Sequence, residues 1–352
     1  MVHSGRAYSI AIVVHVNMYT LFCFEKNMNL KRSNRAPVVM PSELINISHP
    51  FYDSPTVHIE MIDDKVRTLA FKQALKRAIK PGDVVFDLGT GTGILAMFAA
   101  KLGAEVYAID SAGGIFEAAK VNISRNKLND KIKLITYTGD KISLPKKADV
   151  VVSECLGHFG FDEGMIKAVT DSKYLLKNSG VFIPGKVRLC VAAVSVPEMY
   201  DAYIDTWKKL RYGLDFSHMR SKAVERIYIA TFSPSDLVSY PTKIIDFTMG
   251  NDSADLLKGG ATITIKKAGK IHGLVGWFES ELVSGLMLST SPLSAPTHWE
   301  QCFLPLIKPL AAKAGDKLSI GLSIKSYKHS EKVKFKWIVQ RSNYKSETET
   351  TI

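Results

Sequence analysis

A short apolar run that stops at a glycine-rich turn and restarts as an apolar helix constrains this chain more than any other feature. Val84-Val85-Phe86 reads as a buried strand, Asp87-Leu88-Gly89-Thr90-Gly91-Thr92-Gly93 as a tight turn, and Ile94 to Leu102 as a helix. A strand apolar on both faces needs helices above and below it. The rhythm then repeats. Glu105 to Ile109 is a second strand, Ile115 to Asn126 a second helix, and Lys133 to Thr136 and Val150 to Val152 are strands three and four. Such alternation predicts an α/β class with a Rossmann-like, doubly wound parallel sheet. Upstream, Ile59 to Ala78 places Met61, Ile62, Val66, Leu69, Ala70 and Leu75 close to a helical period. Downstream, Tyr174 to Lys177 reads as a last helical turn before a strand from Gly180 to Pro184.

After about Val187 the pattern turns to short β-type runs: 227–230, 244–249, 261–265, 273–278, 318–324 and 333–338. Turn residues between them predict an antiparallel barrel or sandwich. The aromatic segment from Tyr200 to Met219 is expected to be helical. The division expected is 41–186 for the parallel-sheet domain, 187–345 for the β-domain with its arm at about 200–219, and 346–352 as a tail. Residues 1–40 are expected to be poorly ordered or adventitious, with Met28 or Met40 as an alternative start. A second reading makes Tyr8 to Phe24 a membrane anchor. His15 and Asn17 interrupt it, and at about 17 residues it is at the lower limit for a span.

The chain's 352 residues permit two cores. Four cysteines without a CxxC pair suggest neither zinc nor a disulfide framework, and fit a reducing cytoplasm. The net charge of +12 is read as a solvated lysine-rich surface. No RNA-binding signature, basic helix repeat or zinc-knuckle spacing accompanies it, which argues against a nucleic-acid partner.

The turn is GxGxG. The dinucleotide fingerprint needs a third glycine where Ile94 stands, and no Gly-Lys-Ser/Thr follows to make a Walker loop. Gly89, Gly91 and Gly93 allow close backbone approach to a ligand. Asp87 beside them would repel a pyrophosphate but suits a cationic one, and S-adenosyl-L-methionine carries a sulfonium and an α-amino group. Asp110, 23 residues on from Asp87, is placed for ribose hydroxyls, and Asp140 for the adenine amine. Arg67 is placed for the methionine carboxylate. After strand four, Ser153 to Glu163 sets Glu154 and Glu163 nine residues apart around Gly157. Two carboxylates on one loop at a strand end could clamp a planar guanidinium.

With these residues in place the chain resembles the protein arginine methyltransferases, over most of residues 50–340. His58-x-x-Met61-Ile62-x-Asp64-x-x-Arg67-Thr68 is similar to the helix that covers the cofactor in that family. Asp87 to Ile94 resembles their cofactor loop, and Ser153 to Met165 their double-glutamate loop. Pro296-Thr297-His298-Trp299 resembles their Thr-His-Trp loop, and Trp207 with Tyr212 to Ser217 the arm by which they dimerise. The resemblance implies methyl transfer to arginine in proteins, with Glu154, Glu163, His298 and Asp64 catalytic. It implies His58 and Met61 beside the cofactor, Thr297 and Trp299 on the substrate side, and a homodimer. Three departures touch the acceptor side. Phe51-Tyr52-Asp53-Ser54-Pro55 stands where the family has Tyr-Phe-x-x-Tyr, and the stretch from Ser54 to His58 is about one turn shorter. Cys155, Leu156 and His158 replace the usual Trp, Met and Tyr. The same fold acting on a small amine or guanidine, or a non-catalytic scaffold, are the alternatives.

Overall fold

The computed structural model of the protein describes residues 40–41, 52–111, 113–137, 142–164, 169, 172–250, 256–327 and 332–352. All belong to one compact unit, Ala36–Ile352. The readings made for residues 1–39, and the expected role of Asp140, lie outside the described residues.

Two helices come first, α1 (Pro55–Asp63) and α2 (Lys65–Ala78). The helical period ran unbroken through Asp64, but the chain breaks there. Asp64 is extended, and its Oδ1 accepts from the Arg67 N–H at 2.9 Å as the N-cap of α2. Pro55 opens α1 rather than blocking it. Proline fits a first helical turn, and only the preceding Ser54 has to be extended.

Five parallel strands follow: β2 (Val84–Leu88), β3 (Glu105–Ser111), β4 (Ile132–Tyr137), β5 (Ala148–Ser153) and β6 (Leu176–Ile183), in the order β4-β3-β2-β5-β6. Helices α3 (Ile94–Lys101) and α4 (Gly114–Arg125) connect the first three. Every residue of β2 is buried, as the central strand of such a sheet requires. The helical turn expected at Tyr174 to Lys177 is a single 3-10 turn, Lys173–Leu175, and β6 starts at Leu176.

From Lys186 the chain is mainly antiparallel. One sheet runs β1 (Met40–Pro41), β8 (Tyr228–Ala230), β13 (Gln301–Ala312), β11 (Gly269–Val283), β7 (Lys186–Val194), β9 (Thr242–Thr248), with β12 (Leu286–Ser289) paired to β11. The other runs β10 (Leu256–Thr264), β14 (Lys317–Ser326), β15 (Val333–Arg341), β16 (Tyr344–Thr351). Strands β9 and β10 lie side by side, as do β13 and β16, so the two sheets wrap a common core in the manner of a barrel. Phe335 and Trp337 are fully buried in it, and Trp337 Nε1 donates to the Pro305 carbonyl at 3.0 Å.

Two expectations need correction. Residues 346–352 are no tail, because all but Ile352 belong to β16. Beyond Tyr344 at its start, that strand is all Lys, Ser, Glu and Thr, so only its pairing with β15 reveals it. The segment from Tyr200 to Met219 is not one helix. α5 (Pro197–Tyr203) and a 3-10 turn, Asp205–Lys208, end before a tight turn in which Arg211 and Leu214 exchange backbone hydrogen bonds. Tyr212 and Gly213 both have positive φ there, 54° and 78°, and α6 (Met219–Val224) starts afresh. Four exposed apolar side chains, Leu210, Tyr212, Leu214 and Phe216, crowd this turn.

Candidate active site

The ends of β2, β3 and β5 meet α1 and α2 around a cavity of about 210 Å³. Ligands bind at this edge of a parallel sheet because the loops there converge. The lining includes Tyr52, His58, Met61, Arg67, Gly89, Thr90, Gly91, Asp110, Glu154, Cys155 and Glu163. Eight of the residues predicted from sequence are therefore brought together: His58, Met61, Arg67, Gly89, Gly91, Asp110, Glu154 and Glu163.

At one end lies the glycine turn. Gly89, Gly91 and Gly93 all have positive φ, so the turn needs residues without a Cβ. At Gly91 a Cβ would also lie 3.2 Å from the His58 ring. Asp110 Oδ2 accepts from the Gly91 N–H at 2.7 Å and Oδ1 from the Ser111 N–H at 2.8 Å. Oδ1 also accepts from the Ser111 hydroxyl at 3.3 Å, so Oδ2 is the oxygen that keeps a lone pair for a further donor. His58 Nε2 lies 2.6 Å from the Tyr52 carbonyl, and burial holds its imidazole below the ordinary histidine range. That carbonyl can only accept, so Nε2 carries the proton.

Asp87 sits beneath the turn and does not line the cavity. It is fully buried, and its Oδ2 accepts from Thr90 Oγ1 (2.7 Å) and the Ala96 N–H (3.0 Å). Its Oδ1 has no protein partner. Burial lifts the carboxyl to about 7 against the pull of those two donors. Asp87 thus ties the turn to α3, where the sequence suggested direct contact with a ligand.

At the other end the two glutamates are held by different partners. Arg67 Nε donates to Glu154 Oε2 at 2.6 Å, and its Nη2 makes a second, closer contact with the same oxygen; both side chains are buried. Arg67 Nη1 donates to the Met61 carbonyl at 3.1 Å. The arginine predicted for a carboxylate of the cofactor therefore already neutralises one jaw of the predicted clamp. Glu163 is hydrogen-bonded to the Tyr52 hydroxyl and is raised to about 8, first by burial, then by the charges of Glu154 and Asp162. The same burial and the same two glutamates push the Tyr52 phenol up.

A third group lies behind the cavity. His298 Nδ1 is 2.8 Å from Asp64 Oδ2, and the His298 N–H donates to the same oxygen at 2.9 Å. Burial favours the neutral carboxyl of Asp64, but the hydrogen bonds from His298 and from the Arg67 amide outweigh it and lower the pKa. Trp299 is buried against Phe278, edge-on at 5.1 Å, with the His298 ring 4.3 Å away. Asp64, Thr297, His298 and Trp299 do not line the cavity. Trp299 packs the loop against Phe278.

Three further residues shape the site although the sequence assigned them no role in it. Tyr52 belongs to the departure from the family pattern, so nothing marked it as a partner of Glu163. Cys155 faces the cavity with its thiol raised by burial to well outside the reactive range. Asp162 folds the acid loop: its carboxylate accepts from the His158 and Phe159 amides at 2.9 and 2.8 Å.

A parallel-sheet domain with this glycine turn, joined to an antiparallel β-domain, defines a class I methyltransferase architecture. Comparison with known proteins narrows it. Residues 186–342 match a family model described as the arginine methyltransferase oligomerization subdomain, and residues 68–185 one described as ribosomal protein L11 methyltransferase (PrmA). Protein arginine N-methyltransferase 6 of Danio rerio is 31% identical over 272 residues, which cover 72% of this chain and 77% of that protein. Protein arginine N-methyltransferase 1 of Dictyostelium discoideum is 33% identical over 259 residues, 70% of this chain and 75% of that one. Among solved structures, the Trypanosoma brucei PRMT1 enzyme-prozyme heterotetrameric complex with AdoHcy superposes with a TM-score of 0.79 at 26% identity, covering 85% of this chain and 99% of that chain. The chain belongs to the protein arginine N-methyltransferase family.

Proposed function

We propose that the protein transfers a methyl group from S-adenosyl-L-methionine to a guanidino nitrogen of arginine in protein substrates. The observation that carries this is the convergence of Glu154 and Glu163 on the cavity that also holds the glycine turn and Asp110. The residues present fit the cofactor. Asp110 Oδ2 has a lone pair for a hydroxyl, Arg67 keeps two N–H donors beyond its bonds to Glu154 and the Met61 carbonyl, and the turn admits close backbone approach. S-adenosyl-L-methionine, when bound, supplies a methyl group activated by a sulfonium.

Glu154 and Glu163 accept from two edges of the incoming guanidinium and orient its third nitrogen toward the glycine turn. Drawing positive charge toward two buried carboxylates leaves lone-pair density on the nitrogen that attacks. The proton lost from that nitrogen has a carboxylate in reach, since Glu163 is already disposed to hold one near neutral pH. His298 lies outside the cavity, which supports a bracing role: it holds Asp64, Asp64 caps α2, and α2 carries Arg67. Tyr52 and Met61 complete the wall on the acceptor side.

The exposed apolar turn at Leu210, Tyr212, Leu214 and Phe216 supports a homodimer in which this arm covers the cofactor domain of a second copy. Residues 52–185 serve as the cofactor domain and 186–351 as the β-domain, which β1 joins by pairing with β8.

Incubation with labelled methyl donor and an arginine-rich protein, followed by mass spectrometry, is expected to yield methylarginine. Label confined to small amines or guanidines would transfer the reading to a metabolite acceptor, and no transfer to either would leave a scaffold. Sedimentation of the Leu210→Asp, Leu214→Asp variant is expected to give a monomer where the parent protein dimerises; a parent that is monomeric at micromolar concentration contradicts the arm.

A further inference from the structure

The acid loop and the Thr-His-Trp loop come from opposite halves of the chain, and one side chain joins them. His158 Nδ1 lies 2.6 Å from the carbonyl oxygen of Trp299, across 141 residues of sequence. That carbonyl terminates the segment whose preceding residue, His298, is locked to Asp64. We propose that His158 is a positioning residue for methyl transfer, fastening the Thr297–Trp299 segment to the loop that carries Glu154 and Glu163. The proposal rests on the reading of that loop as the acceptor clamp.

The geometry leaves His158 one role. A carbonyl can only accept, so Nδ1 is the donor and a neutral ring is the Nδ1–H tautomer. Burial pushes its pKa down and favours that neutral form, against the carboxylates of Asp162 and Glu300. His158 does not line the cavity, so it acts only through what it holds.

Both ends of the tether are rigid. On the acid side, Asp162 accepts the backbone amides of His158 and Phe159. Gly157 precedes them at φ +62°, where a Cβ would come within 2.5 Å of the Asp162 carboxylate. The loop is therefore closed on itself around Asp162, with Glu163 as the next residue. On the far side, Trp299 is wedged against Phe278, and Glu300 turns the chain sharply at φ 53° before β13 begins. The tether fixes the distance between the clamp and the Asp64–His298 pair, and so the approach of α2 with Arg67 to Glu154. Small displacements of such parts cost much in rate because the reacting atoms must align.

The test uses the full-length protein. His158→Asn keeps a side-chain N–H close to the place of Nδ1, and His158→Leu keeps bulk without a donor. His158→Leu is expected to lower kcat by about tenfold to a hundredfold. Cofactor affinity should stay within about threefold in both, and His158→Asn should recover most of kcat. A role in general packing would instead make the Asn variant the worse of the two, because a buried amide fills less of the site than leucine. If the Leu variant does not fold, His158→Ser, too short to reach the carbonyl, takes its place with the same expected loss. Full kcat in a folded Leu or Ser variant overturns the proposal. An Asn variant as slow as Leu does so too. Absence of transfer by the parent protein would instead strike the clamp reading itself.

Discussion

The two ends of the cavity are built on different principles. Around Gly89 to Gly93 the contacts are backbone amides and short side chains close in sequence: Thr90 and Ala96 to Asp87 three and nine residues away, and Gly91 to Asp110 nineteen away. Around Glu154 and Glu163 they are long side chains from distant elements: Arg67 to Glu154 across 87 residues, His158 to Trp299 across 141, His298 to Asp64 across 234. The first end is a turn whose shape is local. The second is an assembly of buried ionisable groups whose protonation states and positions depend on one another. A site of this kind can keep its methyl-donor end while its acceptor end is rebuilt. The replacements at Cys155, Leu156 and His158 all fall at the acceptor end.

The sharpest way to break that contrast is to remove the cation shared by both ends. Arg67→Ala leaves Glu154 buried without its partner, a change of about 3–5 kcal/mol for a buried pair. A large fall in melting temperature together with loss of cofactor binding is expected. A variant as stable as the parent would mean the pair is solvated. Next, Glu163→Gln removes a charge from the acceptor end alone. A loss of about a hundredfold to a thousandfold in kcat is expected, with cofactor affinity unchanged by calorimetry; undiminished turnover would remove Glu163 from the clamp. The mirror image is Asp110→Ala at the donor end. Cofactor dissociation should rise by about tenfold to a hundredfold, as for lost hydrogen bonds to a charged group. An unchanged constant would take Asp110 out of the ribose role.

The smallest effect is a pH dependence confined to the acceptor end. Glu163 titrates at about 8, against the ordinary carboxyl value of 4.5, chiefly because it is buried. A guanidinium binds its ionised form, so below about 8 binding must expel a proton. Acceptor affinity should therefore rise by about tenfold between pH 7 and 9 and then level off, with proton release seen in calorimetry at the lower pH. A flat acceptor profile would show that Glu163 is ionised before the acceptor arrives. The stability term has the opposite sense. Between 4.5 and about 8 the unfolded chain holds fewer protons at this residue, so its contribution falls as pH rises through that window.

How much was legible follows the same division. The strand at Val84-Val85-Phe86 and its glycine turn could be read directly, because a fully apolar run before positive-φ glycines has few other solutions. The spacing of Glu154 and Glu163 marked the acid loop. It could not show that Arg67 would pair with Glu154, since that contact exists only once α2 crosses the end of β5. β16 went unread because its residues are polar on both faces and it is stabilised by pairing with β15. The break in the arm at Tyr212 was hidden by aromatic residues that suit a helix as well as a turn.

By itself the sequence determined the parallel sheet, the glycine turn and the presence of two acids at a strand end, because periodicity and glycine stereochemistry act over a few residues. The tertiary structure alone decided which cation neutralises which acid, why Glu163 holds a proton to higher pH than an ordinary carboxyl, and what ties the acid loop to Trp299. Those are effects of burial and of contacts between residues far apart in the chain, and local sequence carries no signal for either.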